Sequence, residues 1–114
     1  MDIRIKRVYD GSHPDDGYRV LVDRLWPRGI TKARAGIDLW CKDIAPSSEL
    51  RTWFNHRADR YNEFSARYED ELSSNPAVDQ LREVLATNPT VTFLYGAKDE
   101  TTNHAVVLVD HLER

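Results

Sequence analysis

At 114 residues, 40% hydrophobic and 31% charged, the chain has the balance of one globular domain, not of a disordered tail or a fibre. A chain of this length buries roughly two-thirds of its unfolded surface, enough for a core without disulfides or metal. The net charge of −3 excludes a protein held to nucleic acid by bulk positive charge.

Ile3 and Ile5 alternate with Arg4 and Lys6, the period-two signature of a half-buried strand. Tyr9 to Gly17, with Gly11, Pro14 and the Asp16-Gly17 pair, reads as a surface loop. Tyr18 to Leu25 is a second strand, rich in apolar residues and central, ended by Trp26-Pro27-Arg28-Gly29. Thr31 caps a short helix through Ala35 that Gly36 closes. Ile37, Leu39 and Cys41 alternate with Asp38, Trp40 and Lys42 as a third strand. Ser47 then caps a helix that places Leu50, Trp53 and Phe54 on one face.

A further helix carries Tyr61, Phe64, Tyr68 and Leu72 at helical spacing, with Glu63-Arg67 and Arg67-Glu71 as outward i,i+4 pairs. Asn75-Pro76 opens the next helix, whose buried face is Val78, Leu81, Val84 and Leu85, and Asn88-Pro89 stops it. Thr90 to Tyr95 is a strand with an unbroken apolar end, the pattern of a strand covered on both faces. Ala105, Leu108, Val109 and Leu112 mark a closing helix. Strands separated by helices predict one α/β domain over residues 1–114: three layers, with a mostly parallel sheet of about four strands covered by helices. The strand order is not readable.

Cys41 is the lone cysteine, so no internal disulfide can form, as suits a reducing compartment. The first residues lack the apolar run of a signal peptide, and Ala105 to Val109 is too short to span a membrane. A cytoplasmic protein without membrane contact is expected. Its oligomeric state stays open. No glycine-rich nucleotide loop and no paired histidine or cysteine motif is present, so neither a cofactor nor a metal site is expected. Buried in a strand without a motif, Cys41 reads as a core residue before a nucleophile.

The charge is uneven. Residues 1–57 carry 11 Lys/Arg against 8 Asp/Glu, or +3, while residues 58–114 carry 5 against 11, or −6. In open parallel sheets ligands bind beyond the carboxyl ends of strands. Three such junctions are readable: Asp23 to Gly29, Lys42 to Arg51, and Tyr95 to His104. Arg24, Arg28 and Arg51 there suit a phosphate or carboxylate, because guanidinium offers paired donors. The alternative is that Arg24 pairs with Asp23 or another acid while Arg28 and Arg51 stay solvated or clamp loops. Asp99 and His104 suit proton transfer, with Asn103 positioning the ligand. Against that, Asp99 or Thr101 can cap the last helix and Asn103 can bond loop backbone.

Several blocks together carry a family likeness. They are Arg19-Val20-Leu21-Val22-Asp23-Arg24-Leu25-Trp26-Pro27-Arg28-Gly29, then Trp40 to Ser47 and Leu50 to His56, then Phe64 to Leu72, and finally Leu94 to Asp99 with Asn103-His104-Ala105. The chain resembles, almost end to end, the YeaO-like family of domains of unknown function. It departs at Cys41, where a larger aliphatic residue is expected, and at Tyr61, where Trp is expected. The resemblance implies an α/β fold and a bacterial-type cytosolic protein, and it brings no reaction. It groups Asp23, Arg24, Arg28, Asp99 and Asn103 as candidate site residues. Two functions compete: binding of a small anionic ligand, with acid/base chemistry by Asp99 and His104, and a non-catalytic regulatory or nucleic-acid-associated module using the basic half. A dimer face built on Trp26, Trp40 or Trp53 is a third.

Overall fold

The computed structural model describes residues 2–114, and these form a four-stranded parallel sheet with five α-helices. The strands are β1 (Asp2–Arg7), β2 (Tyr18–Leu21), β3 (Leu39–Trp40) and β4 (Thr90–Tyr95), in the order β1-β4-β2-β3. The helices are α1 (Lys32–Ala35), α2 (Ser48–Phe54), α3 (Tyr61–Ser73), α4 (Ala77–Thr87) and α5 (His104–Leu112). The α/β reading holds, and β2 and β4 lie side by side in one sheet, with Leu21 opposite Leu94.

The strand order explains why both faces are covered. The chain steps one way from β1 through β2 to β3, then reverses to place β4 between β1 and β2. Because parallel crossovers keep one hand, reversing direction sends the connection to the opposite face. On one face Val20, Val91, Phe93 and Tyr95 meet Phe64, Tyr68, Leu81 and Leu108 from the long helices. On the other, Leu21 and Leu94 meet Val8, Ile30 and Ala35, with the half-buried Trp26 and Ile37 packed against them. This second layer is thin, made of turns and the one-turn α1.

Local chemistry forms the ends as expected. Thr31 accepts from Arg34 N at 3.2 Å and Ser47 from Leu50 N at 3.2 Å, while Asn75 Oδ1 accepts from Ala77 N at 2.9 Å. The third strand keeps only Leu39–Trp40 of the alternating run from Ile37 to Lys42, because the chain turns into a 3-10 helix over Lys42–Ile44, and two further expectations shift. Strand β2 ends at Leu21 instead of Leu25, although Val22 N still donates to Leu94 O at 3.0 Å. Beyond it the chain leaves the ladder, and the Asp23 side chain, not its backbone, bridges to the neighbouring strand end. Glu71 does not pair with Arg67. It accepts from Ser47 N at 2.9 Å and Ser47 Oγ at 2.6 Å, tying α3 to the start of α2.

Under the thin face lies an ion pair that the sequence reading passed over. Asp16 and Arg19 are 5% and 3% exposed, and their side chains form a salt bridge. Arg19 also donates to Gly36 O at 3.1 Å and Ala35 O at 2.7 Å, so its guanidinium holds the end of α1 against β2. Beside this pair Gly17 sits at φ +66°, where a Cβ would stand 2.3 Å from Thr90 O. Gly17→Ala should therefore cost about 2 kcal/mol or more, from the left-handed backbone and the clash together. Gly29, at φ +81° with open space around it, meets the backbone term alone. Gly29→Ala should cost about 1 kcal/mol by comparison. Urea unfolding of the two variants separates them, and equal losses would show that the β4 contact is not rigid.

Candidate functional site

All four strand ends contribute to one cavity of about 310 Å³. Tyr9 follows β1, Asp23 to Arg28 follow β2, Ala45, Pro46 and Arg51 come from the β3 side, and Gly96, Ala97 and Thr102 to His104 follow β4. After β2 the chain turns to the thin face, and after β4 it turns into α5 on the helical face. The parting of those two connections opens a crevice at the carboxyl edge, where doubly wound sheets bind their ligands.

Asp23 sets the geometry of the crevice. Its Oδ2 accepts from Gly96 N at 2.8 Å, joining the ends of β2 and β4. Its Oδ1 lies 3.2 Å from His104 Nε2 but makes no hydrogen bond, and it is buried without a partner. The same Nε2 is 3.1 Å from Val22 O. A carbonyl oxygen only accepts, so the bond to Val22 O places a proton on His104 Nε2, and in the neutral ring Nδ1 is the acceptor. His104 also meets the buried Tyr68 ring edge-on at 6.1 Å.

Three arginines and a single carboxylate line the cavity. Arg24 is half-buried: its Nη2 makes two long bonds, to Ala45 O and Pro46 O at 3.4 Å, and its Nε is buried without a partner. Arg24 thus does not pair with Asp23. The exposed Arg28 and Arg51 side chains line the same cavity and take no part in any salt bridge among the described residues. The Arg28 turn is anchored through its backbone, since Tyr9 Oη donates to Arg28 O at 3.1 Å.

Asp99 stands elsewhere. It does not line the cavity, and it accepts from Thr101 N at 2.9 Å and Thr102 N at 3.0 Å. The Thr102 hydroxyl, those two amides and the Thr101 hydroxyl hold its carboxyl well below the usual carboxylate range. A general base needs a pKa near the working pH, and Asp99, held low by its own loop, is a weak one. Asn103 lines the cavity with its amide already engaged. Its Oδ1 caps α5 by accepting from Val106 N at 3.1 Å, and its Nδ2 donates to Asp99 O at 2.9 Å. The last loop therefore builds itself from Asp99 and Asn103, and His104 is the titratable side chain it brings to the cavity. Cys41 is buried and bonded weakly to Gln80 at 3.8 Å; burial pushes its thiol pKa up, in keeping with a core residue.

With this geometry the chain can be set against known proteins. A profile described as the inactive DUF488-N3 subclade matches residues 2–114. The chain belongs to that subclade. The uncharacterized protein YeaO of Escherichia coli is 46% identical over 112 residues, covering 98% of this chain and 97% of the relative. The uncharacterized proteins Rv3073c of Mycobacterium tuberculosis and Mb3100c of Mycobacterium bovis are each 44% identical over 110 residues, covering 96% of this chain and 92% of theirs. No solved structure matches. The YeaO-like resemblance is thus established. Among the described residues of this subclade member, no helix is long and apolar enough to cross a membrane.

The sequence reading missed Tyr9, Trp26, Phe54, Phe64 and His56 as wall residues. Trp26 belongs to the Asp23–Gly29 junction expected at the strand end, but its ring was assigned no part in a ligand site. It donates from Nε1 to Ile30 O at 2.7 Å and meets Trp40 edge-on at 5.4 Å. His56 follows the α2 cap with φ +55°, directly after Asn55 at +47°. Two successive non-glycine residues in the left-handed region cost about 1–2 kcal/mol each, with Asn tolerating it best.

Proposed function

We propose that this DUF488-N3 member binds a small phosphate- or carboxylate-bearing molecule in the cavity at the strand ends and does not turn it over. The observation that carries the reading is the charge balance of the wall. Arg24, Arg28 and Arg51 line a cavity with a single carboxylate, Asp23, whose Oδ2 accepts from Gly96 N and whose Oδ1 lies 3.2 Å from His104 Nε2. Guanidinium groups left without carboxylate partners in a concave site are suited to a bidentate oxyanion. All three come from the basic half of the chain. Binding without turnover is supported by the engagement of Asp99 in its own loop, which leaves His104 without that partner for proton transfer. The word inactive in the subclade's description points the same way. The concave shape favours a small ligand over a nucleic-acid backbone, which calls for a basic stripe.

The test is thermal unfolding with inorganic phosphate, phosphomonoesters and carboxylates at matched ionic strength. A ligand at a hundred times its dissociation constant stabilises the fold by roughly 2.7 kcal/mol. At ~4 °C per kcal/mol for a domain of this size, the melting temperature should rise about 10 °C. Arg28→Ala and Arg51→Ala should each remove most of the rise while changing unliganded stability by no more than about 0.5 kcal/mol, as exposed residues. Equal shifts in wild type and both variants, or no shift with any anion, would refute the proposal.

A further inference from the structure

Building on that anion site, we infer that its ligand carries an aromatic ring as well as the oxyanion, with the ring packed on a preformed aryl wall that includes His56. Three arginines account for the head of a ligand, but most of the remaining lining is apolar or aromatic: Tyr9, Trp26, Phe54 and His56, with Pro27 and Pro46. A wall that only admitted phosphate would not need these.

The rings are held in place before any ligand arrives. Phe54 stacks on Phe64 at 4.2 Å and 21°, and His56 lies tilted against Phe54 at 6.4 Å, so three rings form one continuous surface. Trp26 is fixed by its bond to Ile30 O and by the edge of Trp40. Tyr9 is 40% exposed, with Arg7 at 5.4 Å from its ring centroid and its hydroxyl bonded to the Arg28 turn. The aromatic surface that meets water is that of Tyr9, Trp26 and His56, with Phe54 and Phe64 buried behind it, and an exposed patch backed by fixed rings is what a planar ligand covers with little further ordering.

The backbone at His56 argues that its imidazole matters here. Glycine would take φ +55° without strain, yet this position carries a side chain, and that side chain lines the cavity. The strain is retained for what the ring does.

The test compares three probes on the intact protein by titration calorimetry: inorganic phosphate, phenyl phosphate and cyclohexyl phosphate. Phenyl phosphate should bind at least tenfold more tightly than inorganic phosphate, and roughly three- to tenfold more tightly than its saturated counterpart, the margin that aromatic pairs show beyond area. Aryl proton resonances of phenyl phosphate should move upfield on binding through the ring currents of the wall. His56→Gly should melt no lower than wild type, lose at least threefold in affinity for phenyl phosphate and keep its affinity for inorganic phosphate. Equal affinities for the phenyl and cyclohexyl esters, or a His56→Gly loss common to phenyl and inorganic phosphate, would overturn the aromatic assignment and leave the anion site standing. Failure of all three probes to bind would remove the anion site itself.

Discussion

Asp16→Ala should lower the stability of the protein by about 3–5 kcal/mol, the usual cost of leaving one member of a buried ion pair without its partner. The Arg19 guanidinium would stay beneath the thin face of the sheet, still bonded to Ala35 O and Gly36 O, with its charge uncompensated. Lys6 and His13 N would lose the same acceptor, at 3.1 Å each. At ~4 °C per kcal/mol, a fall of roughly 12–20 °C in melting temperature follows.

The effect has a pH signature. Burial pushes the Asp16 pKa up, but Lys6, the His13 amide and Arg19 outweigh it, so the folded value lies below the ordinary 3.8. A carboxyl whose folded pKa is depressed contributes stability that is fully present above its unfolded pKa and is lost as pH falls through the folded one. The gap between wild type and Asp16→Ala should therefore be constant at and above about pH 5 and close progressively below 3.8. Replacing both partners, as Asp16→Ala with Arg19→Met, should recover only part of the loss, because it removes the unpaired charge but leaves Ala35 O and Gly36 O without their donor. Thermal melts from pH 7 down to pH 3 check each part. A gap that widens in acid would show that Asp16 does not act through its charge.

Phe64→Ala should also cost about 3–5 kcal/mol, the range for deleting a buried aromatic ring. Phe64 is 2% exposed and stands in the ring series between Phe54 at 4.2 Å and Tyr68 at 5.9 Å. It is the place where the core continues into the cavity wall, so its loss should act twice. Stability falls because a void opens among α2, α3 and the sheet, and the Phe54-His56 surface loses its backing. Phe64→Leu retains most of the volume and should cost less, about 1–2 kcal/mol. Urea unfolding measures the first effect. Broadened Phe54 and His56 resonances in Phe64→Ala, and not in Phe64→Leu, would report the second. Sharp resonances in both would mean that the wall does not depend on the core beneath it.

What was legible in advance follows the range of the forces involved. Tyr61, Phe64, Tyr68 and Leu72 were readable as one helical face because their spacing is a property of the helix itself, and three of the four are buried. Thr31 and Ser47 were readable as caps because a side chain reaches an amide only three residues on. The strand-end position of Arg24, Arg28 and Arg51 was likewise local. Ile5, by contrast, is on the apolar side of a strand read as half-buried and is 37% exposed, because β1 lies at the sheet edge and edge position is set by strand order.

The sequence by itself determined the α/β class, the element identities, the caps and the basic strand ends, since each depends on contacts within a few residues. Only the tertiary structure decided that β4 enters between β1 and β2, and that insertion brings Gly96 to Asp23 and His104 beneath Val22 O. It also decided which polar groups are left over. Asp99 is engaged by its own loop, Asp16 and Arg19 neutralise each other under the sheet, and Arg28 and Arg51 remain to face the cavity with Tyr9 and His56. A polar side chain takes whatever partner packing brings within about 3 Å, and that partner is commonly distant in sequence.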